Sequence, residues 1–302
     1  MIKHLLTGRE FDRAALEQLI ETTAKLKSGR GKPGQPRPLD GKSIGMIFAK
    51  SSTRTRVSFE VGIHELGGQP IYLDESKTQM GRGDTIADTA RVLSRFLHGI
   101  VIRTFAQKDV EELAANARIP VINALTDDYH PCQALTDVFT MLEHAGKTDG
   151  LKLAYLGDGA SNMANSLTLA CKLAGVHLAI AAPEEFKPRQ DLLNLKHGPG
   201  SAVWTKSVKE AMQDADFVYT DVWVSMGFEE ESKRRMSILE PYRLDMNALR
   251  MGKPNVKVLH CLPAHRGDEI TDEVMDSAAS IVFDQAENRL HVQKAIMALL
   301  MA

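Results

Sequence analysis

Short β-rich runs alternate with helical patterns along almost the whole chain, and this alternation restricts the fold more than any other property of the sequence. Ile44–Ala49, Ile71–Leu73, Ile100–Ile102 and Val121–Ile122 read as strands in the first half. Lys152–Leu156, His177–Ala181, Phe217–Tyr219, Lys257–Leu259 and Ile281–Phe283 read as strands in the second. A first helix is expected over roughly Arg13 to Leu26, ahead of a Gly/Pro-rich connection at Gly31–Pro38. Phe59, Ile63 and Leu66 recur at i, i+4 and i+7, and Leu135, Val138, Phe139 and Leu142 at i, i+3, i+4 and i+7, so each set lies on one helix face. Strands that alternate with helices imply parallel sheets with helices on both faces. The polar, glycine-containing break Glu143–Gly150 parts two such series, with a helix near residue 140 joining them. The expected fold is therefore α/β, two doubly wound parallel-sheet domains with a ligand site in the cleft between them.

With 302 residues the chain is long enough for two domains of ordinary size. A formal charge of −2 implies no basic face and argues against nucleic acid as a partner. No apolar run approaches the length of a membrane span, and Met1–Leu6 lacks the apolar region of a signal peptide. Cys132, Cys171 and Cys261 are odd in number and far apart, which disfavours a disulfide framework and points to the cytoplasm.

In open α/β sheets ligands sit outside the carboxyl ends of the strands. Polar motifs recur at those ends. Ser51-Ser52-Thr53-Arg54-Thr55-Arg56 runs from a strand into a helix, where backbone N–H groups and the helix dipole favour an anion, most often phosphate. Arginine adds planar bidentate recognition that lysine does not match. The plainer reading is a Ser/Thr cap with solvated arginines, but cations at a helix N-terminus oppose its dipole. Arg103 follows another strand, and His130-Pro131-Cys132-Gln133 precedes a helix.

Gly157-Asp158-Gly159 resembles a dinucleotide turn yet lacks the third glycine, and Asp158 would repel a pyrophosphate. It reads either as a tight turn with Asn162 and Asn165 capping the next helix, or as a place where Asn162 meets a small polar ligand. Gly41-Lys42-Ser43 imitates the end of a P-loop, but Pro36 replaces the required glycine and the strand follows the motif. Asp221 is either a cap or the carboxylate that an amino-group substrate needs. The charged run Glu229–Arg235 reads as a solvated loop or helix. His260-Cys261 with His265 lacks the separated ligand pairs of structural zinc. Cys261-Leu262-Pro263 reads better as a strand end and a constrained turn, in which Leu262–Pro263 is a candidate cis bond that would turn backbone carbonyls towards the ligand. Cys261 is also a nucleophile candidate, although burial is the commonest fate of a free cysteine.

Taken together these motifs resemble the ornithine-specific branch of the carbamoyltransferase family. Ser-Thr-Arg-Thr-Arg at Ser52–Arg56 and His-Pro-x-Gln at His130–Gln133 are similar to signatures of the whole family. Asp-x-Trp-x-Ser-Met-Gly at Asp221–Gly227 and His-Cys-Leu-Pro at His260–Pro263 are similar to those of the ornithine branch. The likeness extends from about Lys42 to His291.

The resemblance implies carbamoyl transfer from carbamoyl phosphate to the δ-amine of L-ornithine, giving L-citrulline and phosphate, with no metal or organic cofactor. It implies a carbamoyl-phosphate domain over 1–145, completed by a C-terminal helix over 286–302, and an ornithine domain over 146–285. A cytoplasmic trimer, or an assembly of trimers, is implied, with sites shared between subunits. Ser52, Thr53, Arg54, Thr55 and Arg56 would bind carbamoyl phosphate, with Gln79 reaching it from a neighbouring subunit. Arg103, His130, Gln133, Arg289 and the Cys261 and Leu262 carbonyls would complete that set. Asn162, Asp221, Ser225 and Met226 would hold ornithine, and Arg103, His130, Asp221 and Cys261 would carry the chemistry. The competing class is a non-catalytic anion sensor on the same fold, and the competing enzyme carbamoylates another amine.

Overall fold

The computed structural model describes residues 2–74, 83–224 and 232–302. The chain divides into two compact units, Met1–Leu135 with Asn288–Ala302, and Thr136–Glu287.

In the first unit β1 (Ser43–Phe48), β2 (Gln69–Asp74), β3 (Gly99–Arg103) and β4 (Val121–Leu125) form a parallel sheet in the order β2-β1-β3-β4. Helices α1 (Arg13–Ser28), α2 (Thr53–Glu65), α3 (Ile86–Leu93) and α4 (Gln107–Asn116) intervene, and α5 (Pro131–Ala145) follows. β1, β3 and β4 are buried along most of their length, as expected of parallel strands covered on both faces. Ile47, Ile100, Ile102, Val110, Leu113 and Val121 share one core cluster.

In the second unit β5 (Lys152–Leu156), β6 (His177–Ala181), β7 (Ser201–Thr205), β8 (Phe217–Thr220) and β9 (Lys257–Leu259) are parallel in the order β7-β6-β5-β8-β9. α6 (Asn162–Ala174), α7 (Gln190–Asn194) and α8 (Val208–Met212) link the first strands. α9 (Ser232–Leu239), α10 (Met246–Leu249) and α11 (Asp272–Met275) follow, and α12 (Val282–Met301) ends the chain, its residues from Asn288 onward belonging to the first unit.

Two expectations change. Ile281–Phe283 is not a strand. The chain touches β9 through a Val258–Ser280 bridge and an Ile281 N–H to Val258 carbonyl bond of 3.1 Å, then enters α12 with Phe283 69% exposed. Three apolar residues carry too little periodicity to separate a strand from a helix start. Strand β7 was not anticipated. It lies at the sheet edge with Val203 57% exposed, so its sequence lacks the continuous apolar run of a buried strand.

The strand orders locate the switch points. In the first unit β1 is flanked by β2 on one side and β3 on the other; in the second, β5 is flanked by β6 and β8. Crossovers leaving in opposite directions open a crevice at the strands' carboxyl ends. Ser51–Arg56 and Arg103 lie at the first crevice, and Gly157–Asn162 and Asp221 at the second.

A Cβ at Gly200, just before β7, would stand 2.4 Å from the Cys171 carbonyl oxygen and 2.5 Å from that of Val176. Backbone cannot yield as a side chain does, so Gly200→Ala should cost about 1–3 kcal/mol. Urea unfolding checks this as a lower midpoint at unchanged slope.

Candidate active site

At the first switch point Ser52 is extended (φ −162°, ψ 106°) and caps α2, its hydroxyl accepting from the Thr55 N–H. This leaves Thr53 and Arg54 exposed on the first turn and turns Thr55 inward, where it is 1% exposed. The Thr55 hydroxyl oxygen accepts from Arg289 Nη2 at 2.8 Å and from Arg103 Nη1 at 3.5 Å. Arg103 is placed by the end of β3 and Arg289 by α12. Arg56 turns away: its Nε donates to Glu60 at 3.0 Å and its guanidinium lies 3.9 Å from the Tyr72 ring centre. His130 and Gln133 are buried at the start of α5. Burial, reinforced by the Arg289 and Arg103 guanidiniums, holds His130 well below the usual imidazole range, so the ring is neutral at pH 7.

At the second switch point Asp221 follows β8, and its Oδ1 accepts from the Cys261 thiol at 2.9 Å and the Val222 N–H at 2.8 Å. Burial raises the Asp221 carboxyl above its ordinary range, against the opposing pull of His260 and the thiol. Asn162 opens α6 directly after its Ser161 cap. The Leu262–Pro263 bond is cis, and Leu262 has a positive φ of 58°, unfavourable for a residue with a side chain. The turn is held from behind. His260 Nδ1 accepts from the Leu262 N–H at 2.9 Å, so Nε2 carries the proton and donates to Glu269 Oε1 at 3.1 Å. Glu269 Oε1 also accepts from the His265 N–H at 2.6 Å, and Gln285 Oε1 from the His260 N–H at 2.8 Å.

Residues 3–143 match the "Aspartate/ornithine carbamoyltransferase, carbamoyl-P binding domain" and residues 149–300 the "Aspartate/ornithine carbamoyltransferase, Asp/Orn binding domain". The chain belongs to the aspartate/ornithine carbamoyltransferase family. It is 49% identical to an ornithine carbamoyltransferase of Geobacter metallireducens, with all of both chains covered. It is 48% identical to one of Thermococcus kodakarensis, over 99% of this chain and 96% of the relative. Among solved structures, the Pyrococcus furiosus ornithine carbamoyltransferase superposes with a TM-score of 0.94 at 45% identity, covering 99% of this chain and 97% of that one. The Thermus thermophilus ornithine carbamoyltransferase gives 0.91 at 37% identity, covering both chains fully.

The carbamoyltransferase motifs thus gather into two sets, one per unit: Ser52, Thr53, Arg54, Thr55, Arg103, His130, Gln133 and Arg289 in the first, Asn162, Asp221, Cys261 and Leu262 in the second. Gln79, Ser225 and Met226 lie outside the described residues. Sequence reasoning missed the supporting groups. Glu269 and Gln285 sit among ordinary polar residues in the sequence, and only the fold carries them to His260.

Asp221, His260 and Cys261 bring possible ligand atoms within 4.8 Å of one another, as do His265, Asp268 and Glu269. The first group is a poor fit for a resident metal, because both His260 ring nitrogens already hold hydrogen bonds. The second would compete with the bonds by which Glu269 holds the turn.

The lowered His130 makes stability depend on pH. Below about 6.5, the ordinary imidazole value, the unfolded chain takes up a proton there that the folded chain refuses, so this site costs stability as the pH falls. His130→Gln should therefore lose less stability than the parent between pH 7 and pH 5. Parallel urea titrations at both pH values test it, and equal losses in both proteins would contradict it.

Proposed function

We propose that this chain is an ornithine carbamoyltransferase, converting carbamoyl phosphate and L-ornithine into L-citrulline and phosphate. The observation that carries this reading is an arginine-rich cluster at one switch point together with a buried Asp221 bonded to the half-buried Cys261 thiol at the other. The names of the relatives support it.

In this reading carbamoyl phosphate binds the first unit. Backbone amides of Ser52–Arg54, the Thr55 hydroxyl and the Arg54 guanidinium take the phosphate, Arg289 donates to the same ligand, and Arg56 joins only by leaving Glu60. The δ-amine lone pair attacks the carbonyl carbon, and negative charge builds on its oxygen. Thr55, Arg103 and neutral His130 donate to that oxygen, and such a donor contributes a factor of about 10²–10³ in kcat. Gln133 and the Cys261 and Leu262 carbonyls accept from the carbamoyl NH₂. The tetrahedral intermediate then collapses, the bond to the phosphate oxygen breaks, and the departing phosphate takes the amine proton. No separate protein base is required.

Ornithine belongs to the second unit, with Asn162, Asp221, Ser225 and Met226 around its α-amino and α-carboxyl groups. Its δ-amine must lose its proton first, since an alkylammonium of this kind has a pKa of about 10.4. Nearby cations and desolvation lower that value, and Asp221 and Cys261 orient the neutral amine. In this reading the thiol orients and is no covalent nucleophile, because the amine attacks the carbonyl directly. The sensor alternative is disfavoured because a binder needs no donors aimed at a carbonyl oxygen. A cytoplasmic setting fits the buried thiols of Cys132 and Cys171, neither in a disulfide, the former pushed up to about 12 by burial; a place in arginine biosynthesis fits the proposed product.

Ureido-product formation, or phosphate release, from carbamoyl phosphate with ornithine, N-acetylornithine, putrescine or aspartate should be far faster with ornithine than with the rest. Asp221→Asn removes a charge-assisted bond to the substrate ammonium and should lower kcat/KM for ornithine by about 10–100-fold, with KM for carbamoyl phosphate little changed. Normal kcat/KM in that variant would sink the assignment of Asp221.

The protein is also proposed to be a trimer with Gln79 donated across the subunit boundary. Arg54→Ala and Gln79→Glu should each be nearly inactive. Subunit exchange between them should restore activity, because any mixed ring of three contains one boundary with both residues intact. Confirmed hybrids without recovery would place Gln79 in its own chain's site or outside it.

A further inference from the structure

The turn Gly157–Ser161 carries an acid where an anion-accepting turn should have none. Asp158 lies just ahead of the N-terminus of α6, whose backbone N–H groups and dipole favour a negative ligand. Its Oδ1 accepts from the Ala160 N–H at 2.9 Å, which fixes the carboxylate within the turn. The reading above puts Asn162, at this helix start, beside the ornithine α-amino and α-carboxyl groups; with the α-carboxylate facing it, a bare Asp158 would repel that group.

The structure supplies the compensation from α9. Arg235 pairs with Asp158, the two side chains each only 11% exposed. The Arg235 guanidinium also donates through Nε to the Trp223 carbonyl at 2.8 Å and lies 4.5 Å from the Phe186 ring centre. It therefore ties three segments together: the turn before Asn162, the chain just after Asp221, and the short helix at Glu184–Phe186. Burial raises the Asp158 carboxyl, and Arg235 is the largest influence pulling it back towards its charged form. The run Glu229–Arg235, which reads in sequence as solvated charge, thus ends in a half-buried clamp.

We propose that Arg235 is a specificity-determining residue, which cancels the Asp158 charge so that a substrate carboxylate can approach the start of α6. The pair selects an amino-acid amine over a simple diamine. This rests on the carbamoyltransferase reading, and on the α-carboxylate being the ornithine group that faces Asn162.

Steady-state kinetics on the full chain with ornithine and carbamoyl phosphate decides the matter, using Arg235→Gln, Arg235→Lys, Asp158→Asn and the double variant. Leaving Asp158 uncompensated should raise KM for ornithine about tenfold in Arg235→Gln, while KM for carbamoyl phosphate stays within about twofold. Arg235→Lys, which keeps the charge, should rise less. Combining Asp158→Asn with Arg235→Gln removes both charges and should return KM for ornithine to within about threefold of the parent. A purely mechanical role for the clamp predicts the opposite, because the double variant has lost both partners and should be no better than Arg235→Gln. The proposal is overturned by that outcome, by an ornithine KM within twofold of the parent in Arg235→Gln, or by equal shifts for both substrates. A parent protein that makes no citrulline would instead refute the function on which the inference rests.

Discussion

Two guanidiniums converge on one buried hydroxyl. Arg103 arrives from the end of β3 and Arg289 from α12, and both reach the Thr55 oxygen one turn into α2. Like charges brought together away from water repel, and an anion at the same place relieves that repulsion. Burial above all, with the same positive field added to it, keeps the His130 ring from taking up a proton. A neutral imidazole adds no further charge to the cluster. Much else in the first unit serves this meeting point. Ser52 turns Thr55 inward, and the bond from buried Lys294 to Glu65, 2.7 Å long, holds α12 against α2.

The second unit poses the converse problem at Asp158, Asp221 and Glu269, three buried carboxylates, and meets each differently. Asp221 keeps a raised affinity for its proton and takes hydrogen bonds from a thiol and a backbone N–H. Glu269 is set against the His260 ring and the His265 N–H, so its acceptor strength goes into holding the Cys261–Pro263 turn. Asp158 alone receives a full opposite charge, from Arg235. A buried carboxylate without a partner is costly, so these different arrangements mark different roles.

Much of this was legible in the chain, for definite physical reasons. Buried parallel strands need continuous apolar runs, so β1, β3, β5, β6 and β8 stand out. The same rule hid β7, whose edge position leaves Val203 in solvent, and it misled at Ile281–Phe283, where three apolar residues begin a helix. Candidate site residues could be named where local geometry singles them out: a capped helix start at Ser52, a strand end at Arg103, a constrained turn at Cys261–Pro263. Glu269, Gln285 and Arg235 could not. Nothing in a window of sequence tells a glutamate that holds a histidine from one that faces water.

The amino-acid sequence by itself determined the class of sheet, the places where each strand hands over to a polar turn, and the residue types available at those turns, because period, cap and turn chemistry are local. Only the tertiary structure decided which strands are neighbours, and so which two turns share a switch point. It also decided that Arg289, far along the chain, meets Thr55, that Arg56 faces Glu60, and that Arg235 leaves a charged run to neutralise Asp158. Those outcomes depend on long-range pairing and burial, since a charge acquires its partner and its dielectric surroundings only when the chain is packed.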